Sequence, residues 1–166
     1  NSYVFLAPNG EIDDDLPVAL YRQGDSRYRG AEGRLSAGLH PNLWLHTGID
    51  WVNAELTANN LPLPRIPPIR GRVGAELRWR NLSVLPALLM VNQQDRLYVL
   101  EDPTAGYALM NVKAIYSMTT RHTLHLFGFN FGNATNRLYR NHLSFIKSFA
   151  PEMGRSVLFT YTLRFF

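Results

Sequence analysis

The sequence predicts an all-β protein, a transmembrane β-barrel built from about eight antiparallel, up-and-down strands. Three observations predict this fold. Apolar and polar residues alternate along most of the chain, the alternating segments reach about 10 to 13 residues, and the connections between them are short and long in turn. A tilted barrel strand needs about ten residues to cross a bilayer. The strands are expected at residues 2–8, 18–40, 43–54, 69–80, 82–93, 106–118, 121–132 and 154–166.

The segment Arg72–Trp79 shows the alternation clearly. Val73, Leu77 and Trp79 share one parity, and the charged residues share the other. A helix would spread these charges around its axis, whereas a strand directs them to one face. The polar face is expected to line a watery lumen, where opposite charges on neighbouring strands contribute about 0.2–1 kcal/mol each. The predicted lumen-facing residues are Glu32, Arg34, His46, Asp50, Arg72, Glu76, Arg78, Asn111 and Lys113.

A soluble sandwich or soluble barrel is the alternative interpretation, because its strands also alternate. The strand lengths argue against it, since strands of soluble proteins usually have five or six residues. Aromatic residues also collect near the strand ends, as they do at the two interfaces of a membrane. These aromatic residues are Trp51, Trp79, Tyr107, Tyr116 and Phe165. The pattern therefore favours a membrane barrel.

The connections predict the orientation of the strands. Short turns are expected at 40–42, 80–81 and 119–121, and long links at 8–16, 56–69, 93–106 and 132–154. Outer-membrane barrels have short periplasmic turns and long extracellular loops. The C-terminus, which follows a strand after a long loop, is therefore expected on the periplasmic side. A short helix is predicted in the last loop, where apolar residues recur at helical spacing before Ala150-Pro151. These residues are Leu138, Phe145, Ile146 and Phe149.

Composition excludes several classes of protein. The chain has no cysteine, and thus no disulfide framework and no thiolate site. Its net charge of +4 comes from 15 Arg and 2 Lys against 13 acidic residues. A basic chain can bind nucleic acid, but these arginines are spread along the chain and form no single stripe. We therefore expect no nucleic-acid partner. Residues 1–6 do not have the form of a secretory leader. Either a leader has been removed or the chain begins in the middle of a longer protein, and the second explanation is the one we expect.

No catalytic motif is present, and nothing in the spacing of Ser, His and Asp predicts a triad. We therefore predict no enzyme activity and no cofactor. His142, near Glu152 in the last loop, is the best candidate for contact with a substrate, although a solvated loop histidine is the commoner case. The acidic run Asp13, Asp14 and Asp15 could attract cations, but a solvated acidic loop is again favoured. No metal site can be assigned from these residues.

Several motifs resemble the C-terminal barrel of TonB-dependent outer-membrane receptors. They occur in the family's order over almost the whole chain. The tail is most similar to the branch that takes up zinc and other metals. The motifs are Gln23–Glu32, the proline-rich Leu61–Arg70, Gly106–Asn111, Gly128–Asn133, Asn141–Ser144 and Ala150–Arg155, which leads to a terminal strand ending in Phe.

The resemblance implies an uptake receptor for a scarce metal ion or a metal chelate such as a siderophore. Its partners would be outer-membrane lipid, the substrate and the TonB complex, which acts through a plug domain. The family typically has 22 strands and an N-terminal plug, whereas residues 1–166 hold about eight strands and no plug. The chain is therefore expected to be the C-terminal part of a larger barrel. The alternative is a free-standing, closed eight-stranded barrel with a structural or adhesive role.

Overall fold

The chain forms eight β-strands in a computed structural model that describes residues 2–166, apart from the side chain of Pro17. Every predicted strand is present, with ends that differ from the predicted ones by a few residues. The strands are β1 (Ser2–Asp13), β2 (Leu16–His40), β3 (Leu43–Leu56), β4 (Arg70–Trp79), β5 (Leu82–Val91), β6 (Tyr107–Thr119), β7 (Thr123–Gly132) and β8 (Ser156–Phe165). Within residues 2–166 no helix is long and apolar enough to span a membrane.

All eight strands belong to one antiparallel, up-and-down sheet in the order β1 to β8. Each strand pairs with its neighbour in sequence, so every connection is a hairpin. β1 and β8 are the two edges, and within the described residues they do not pair with each other. The expectation of antiparallel barrel strands is therefore confirmed. The alternative of eight strands that close upon themselves is not what the structure shows.

The sheet has two chemically different faces. The apolar face carries large side chains that remain exposed: Val73 is 42% exposed, Leu77 47% and Phe159 63%. These residues would be buried in the core of a soluble protein, so their exposure excludes the soluble alternative. An exposed apolar face of this kind is typical of transmembrane barrel walls, and contact of this face with lipid stays a prediction. We call the opposite surface the polar face.

The hairpin of β1 and β2 is longer than the sequence predicted. β1 continues to Asp13, so the link expected at 8–16 is a turn of two residues, Asp14 and Asp15, with φ of 46° and 62°. Positive φ at both central residues matches the twist of paired strands, and Asp tolerates that conformation. β2 has 25 residues, and a strand rises about 3.3 Å per residue. Its first half therefore extends well beyond a bilayer.

The end of the sheet with the long links, here the long-loop end, contains a small apolar core. Leu63, in the proline-rich link, is 1% exposed and packs with Phe5, Ala54 and Tyr98. The Phe5 and Tyr98 rings meet edge to face at 5.6 Å. The link is held to β3 by the Leu63 N–H, which donates to the Ala54 carbonyl at 3.0 Å. The long links therefore pack against the projecting β1–β2 hairpin. We call the three long links that follow β3, β5 and β7 the loop layer.

The helix predicted in the last loop is absent, and that prediction was wrong. Residues 142–149 form turns, and the N–H groups of Phe149 and Ala150 both donate to the Ile146 carbonyl. One closed turn is too short to propagate a helix. The apolar spacing has another cause, since Phe145 lies under the Arg65 guanidinium at 3.7 Å from its ring centre. Leu138, Ile146 and Phe149 remain more than half exposed, so these residues form no buried helical face.

Candidate functional site

The polar face of the sheet carries a ladder of ion pairs. All nine residues predicted to face the lumen lie on this one face, as the strand register shows. That this face lines a water-filled lumen stays a prediction. Three carboxylates pair with arginines on the face, and the N–O distances are 2.6 Å for Glu32–Arg34, 3.7 Å for Asp50–Arg70 and 2.7 Å for Glu76–Arg78.

The polar face has more cations than carboxylates. Arg72 and Lys113 have no ion pair or side-chain hydrogen bond within the described part of the chain. Asn111, another of the predicted residues, accepts a hydrogen bond of 2.9 Å from the Asn133 N–H and so ties β6 to the last loop. The uncompensated positive charge gives this face a field that attracts anions.

Sequence reasoning missed one constellation on the polar face. Ser36, His46 and Glu76 lie side by side on β2, β3 and β4. The Ser36 hydroxyl is 2.9 Å from His46 Nδ1, and His46 Nε2 is 3.7 Å from a Glu76 oxygen. The order of groups is that of a hydrolytic triad. Both oxygens of Glu76, however, accept hydrogen bonds from Arg78 at 2.7 and 3.0 Å, so the carboxylate is committed to the arginine.

A cup of 210 Å³ lies where the polar face meets the long-loop end. Its floor holds Arg70 and Arg72, and its rim holds Tyr107, Tyr139 and the predicted Glu152. The two tyrosine rings are 4.5 Å apart and tilted by 44°. Burial and the charge of Glu152 raise the pKa of the Tyr139 hydroxyl, which therefore stays protonated and able to donate.

His142, the leading candidate for substrate contact, is deeply buried. Its side chain is 1% exposed, and its Nε2 lies 3.1 Å from a Glu101 oxygen, although the angle is poor for a hydrogen bond. Lys147 donates to His142 Nδ1 at 3.2 Å, and the Thr104 hydroxyl is 3.0 Å from the same atom. An ammonium can only donate, so the Nδ1 atom of His142 accepts the hydrogen bond from Lys147. The geometry gives His142 a role in joining loops.

Glu101 is the centre of this buried cluster, which we call the loop lock (Glu101, Thr104, His142 and Lys147). Its carboxylate accepts hydrogen bonds from Lys147 at 3.1 Å and from the backbone N–H groups of Arg65 and Tyr98 at 3.0 and 3.2 Å. Burial raises the pKa of Glu101, but the contacts with His142 and Lys147 outweigh burial and hold the pKa at about 2. The loop lock therefore joins three long links through one carboxylate.

The acidic run predicted to attract cations lies apart from the cup. Asp13, Asp14 and Asp15 occupy the tip of the β1–β2 hairpin, where all three are exposed. Asp15 lines a second cavity, of 260 Å³, that Arg65 and Phe145 also border. Within residues 2–166 no three His, Asp or Glu side chains are arranged to hold a metal ion.

Solved structures of two proteins are similar to this chain along nearly its whole length. The copper transporter OprC has a TM-score of 0.79 and 20% identity, over 99% of this chain and 28% of its own. BauA, the ferric preacinetobactin receptor from Acinetobacter baumannii, has a TM-score of 0.67 and 20% identity, over 98% of this chain and 25% of its own. The chain has the fold of a TonB-dependent receptor barrel. The fold that the motifs implied, that of a TonB-dependent receptor barrel, is thereby confirmed.

No family model matches the sequence, and no curated protein matches it. The chain spans about a quarter of the length of each of the two receptor structures.

Sequence reasoning did not find Glu101, Lys147, Arg70 or Tyr139. Arg70 could have been predicted from the sequence, because it lies two positions before Arg72 and so falls on the same face of the strand. Glu101 and Lys147 lie 46 residues apart in loops without periodicity, and no pattern along the chain joins them. Tyr139 had no signal apart from being aromatic.

Proposed function

We propose that this chain forms part of the wall and loops of an outer-membrane receptor that imports a scarce metal ion or a metal chelate. The observation that carries the proposal is the combination of an exposed apolar face with a charged polar face on strands that have the fold of receptor barrels. The apolar face would contact lipid and the polar face would line the lumen. The copper transporter and the ferric siderophore receptor among its structural relatives support a metal-containing substrate.

The orientation follows from the lengths of the connections. The turns after β2, β4 and β6 are short, as periplasmic turns of outer-membrane barrels are, and the links after β3, β5 and β7 are long. We therefore propose that the long-loop end is extracellular and that the C-terminus lies on the periplasmic side. Capture of substrate would then fall to the loop layer and the cup.

Energy for transport would come from TonB acting on a plug domain outside residues 1–166. The span of the chain, about a quarter of the receptor structures that it matches, supports its assignment to one part of a larger barrel. The free-standing barrel is disfavoured because closure would need a β1–β8 pairing, which is not present in the described residues.

Deletion of the gene that encodes this chain tests the function. Cells are grown with a metal chelator, and accumulation of radioactive iron, copper and zinc is followed with and without an uncoupler of the proton gradient. The expected result is that accumulation of one metal falls at least tenfold in the deletion strain and in wild-type cells treated with uncoupler. Unchanged accumulation of all three metals would contradict the proposal.

A further inference from the structure

The second cavity, which we call the hairpin cavity, lies between the β1–β2 hairpin and the loop layer and shares no residue with the cup. More than half of its lining residues are apolar, and several of them remain open to solvent. Ile12 is 74% exposed and Phe145 67%, and Leu100 and Phe149 are also more than half exposed. Large apolar side chains that gather around one opening are typical of a binding site.

The opening of the hairpin cavity carries two carboxylates without a cationic partner. Asp15 and Asp102 both line the cavity, and both are exposed. Within residues 2–166 neither of them forms an ion pair, and the one polar contact of Asp102 is with the Ser148 hydroxyl, which donates to it. Two negative charges are therefore available to a molecule that enters the cavity.

The two cations that line the hairpin cavity are held by its wall. Lys147 is buried against Glu101 at 3.1 Å, and the Arg65 guanidinium lies over the Phe145 ring at 3.7 Å from its centre. The lining thus holds three carboxylates and two engaged cations. The rest of the acidic run at the hairpin tip adds further negative charge beside the opening. The field at the opening therefore attracts a cation.

Aromatic rings complete a set of groups suited to an organic cation. The face of an aromatic ring attracts a positive charge, as the Phe145 ring already does with Arg65. The Phe149 ring borders the same cavity and is exposed. A bare metal ion would leave the apolar lining unused, and the described residues contain no group of three potential ligands for a metal. An ammonium group on an apolar body would use both the carboxylates and the rings.

We propose that the hairpin cavity binds a small amphipathic cation, whose aromatic or alkyl body enters the apolar lining and whose ammonium group is received by Asp15 and Asp102. The volume of 260 Å³ is slightly below the usual range of about 300–1,000 Å³ for drug-sized ligands, so it suits a smaller molecule. The inference goes beyond the proposed uptake function and does not depend on it, because the cavity and the cup have no residue in common.

Binding to the full-length protein in nanodiscs of zwitterionic lipid tests the inference with three probes of nearly equal size. They are 4-phenylbutylamine, which is a cation at neutral pH, the uncharged 4-phenylbutanol and the anionic 4-phenylbutyrate. Empty nanodiscs measure how much of each probe the lipid alone takes up. The expected result is that the protein binds the amine about tenfold or more tightly than either other probe, and that the preference shrinks as salt is added.

A pair of charge-removing substitutions locates the site. Asn tolerates the φ of 62° in Asp15→Asn, and the amide oxygen in Asp102→Asn can still accept from Ser148. The double variant should weaken amine binding about tenfold, since each exposed ion pair is worth roughly a factor of three, and should leave binding of the alcohol unchanged. The matched control combines Asp13→Asn with Asp14→Asn, which remove equal charge from residues that do not line the cavity. It should change the affinity for the amine by no more than about twofold.

Binding should also be visible in the loops, because Glu101 and Lys147 form part of the cavity wall. A ligand that binds only the folded loops stabilises them, so the amine should slow amide hydrogen exchange in residues 133–155 of the wild type and not of the double variant.

Several results would overturn the inference. They are equal or tighter binding of the alcohol or the anion, full affinity for the amine in the double variant, an equal loss in the control, and failure of all three probes to bind. None of them bears on the uptake function, which the deletion strain tests.

Discussion

Glu101 and Lys147 face each other across two long links, with the Lys147 Nζ 3.1 Å from the Glu101 Oε1 and both side chains less than a tenth exposed. A buried ion pair of this kind is weak evidence of net stability, but loss of one partner leaves the other charge buried and uncompensated. The pair thus makes the packing of the loop layer depend on one carboxylate.

Replacement of that carboxylate should loosen the loops. Glu101→Gln is expected to cost about 3–5 kcal/mol of local stability, because Lys147 would keep its charge without a counterion. Amide hydrogen exchange of the links 92–106 and 133–155 in the full-length protein measures the effect. The control Glu11→Gln lies on an exposed strand and should leave exchange unchanged. Equal exchange in the two variants would show that the loop lock does not hold these links.

The same carboxylate makes the loop layer sensitive to acid. The Glu101 pKa is about 2 in the folded protein against an ordinary 4.5, so the charged form is favoured by folding. Its stabilisation, about 3 kcal/mol from the size of the shift, is complete above pH 4.5 and is lost as the pH falls toward 2. Brief pepsin digestion between pH 5 and pH 2 should cut the loops faster as the pH falls. In Glu101→Gln, the contribution of Glu101 to the rise in the cleavage rate at low pH should be lost. If the cleavage rate of the variant depends on pH as in the wild type, Glu101 is not the source of the acid sensitivity.

A close backbone approach makes Gly106 necessary at the start of β6. A Cβ at this position would lie 2.9 Å from the Gln93 nitrogen and 3.0 Å from the Val91 carbonyl oxygen. Backbone atoms cannot move aside as a side chain can, so Gly106→Ala is expected to cost about 1–3 kcal/mol in the packing of this link. Hydrogen exchange at the long-loop ends of β5 and β6 reports the change. Gly33→Ala, whose nearest contact would be 3.5 Å away, should be tolerated, and identical behaviour of both variants would refute the steric argument.

The assignment of the two faces can be tested at neighbouring positions in the middle of β6. Ala114 lies on the apolar face opposite Phe129, and Ile115 lies on the polar face opposite Gly128. Ala114→Arg should destabilise the inserted barrel by about 2–4 kcal/mol, because the charge would meet hydrocarbon, whereas Ile115→Arg should cost much less. Urea titration of the full-length protein refolded in lipid vesicles measures both. A larger loss for Ile115→Arg would reverse the assignment.

The sequence by itself determined the strands, their pairing and their faces. The alternation from Val73 to Trp79 has a period of two residues. The face to which each side chain points therefore depends only on the local geometry of the strand and on the solvent at each face. Short turns then bring each strand beside the next, so the order β1 to β8 follows from the order along the chain. The nine polar residues could be assigned to one face for the same reason.

Only the tertiary structure decided what the loops do. The contact of His142 with Glu101 depends on how two loops pack against each other. The Ser36–His46–Glu76 row depends on strand register, which sets Ser36 opposite His46 and places Glu76 diagonally from His46, beside its partner Trp44. The predicted helix is absent because its apolar residues find no common surface to cover: Phe145 packs under Arg65, whereas Leu138, Ile146 and Phe149 stay exposed. Loops carry no periodic pattern, and their contacts join residues tens of positions apart. Long-range packing, rather than local propensity, therefore sets both the loop lock and the cup.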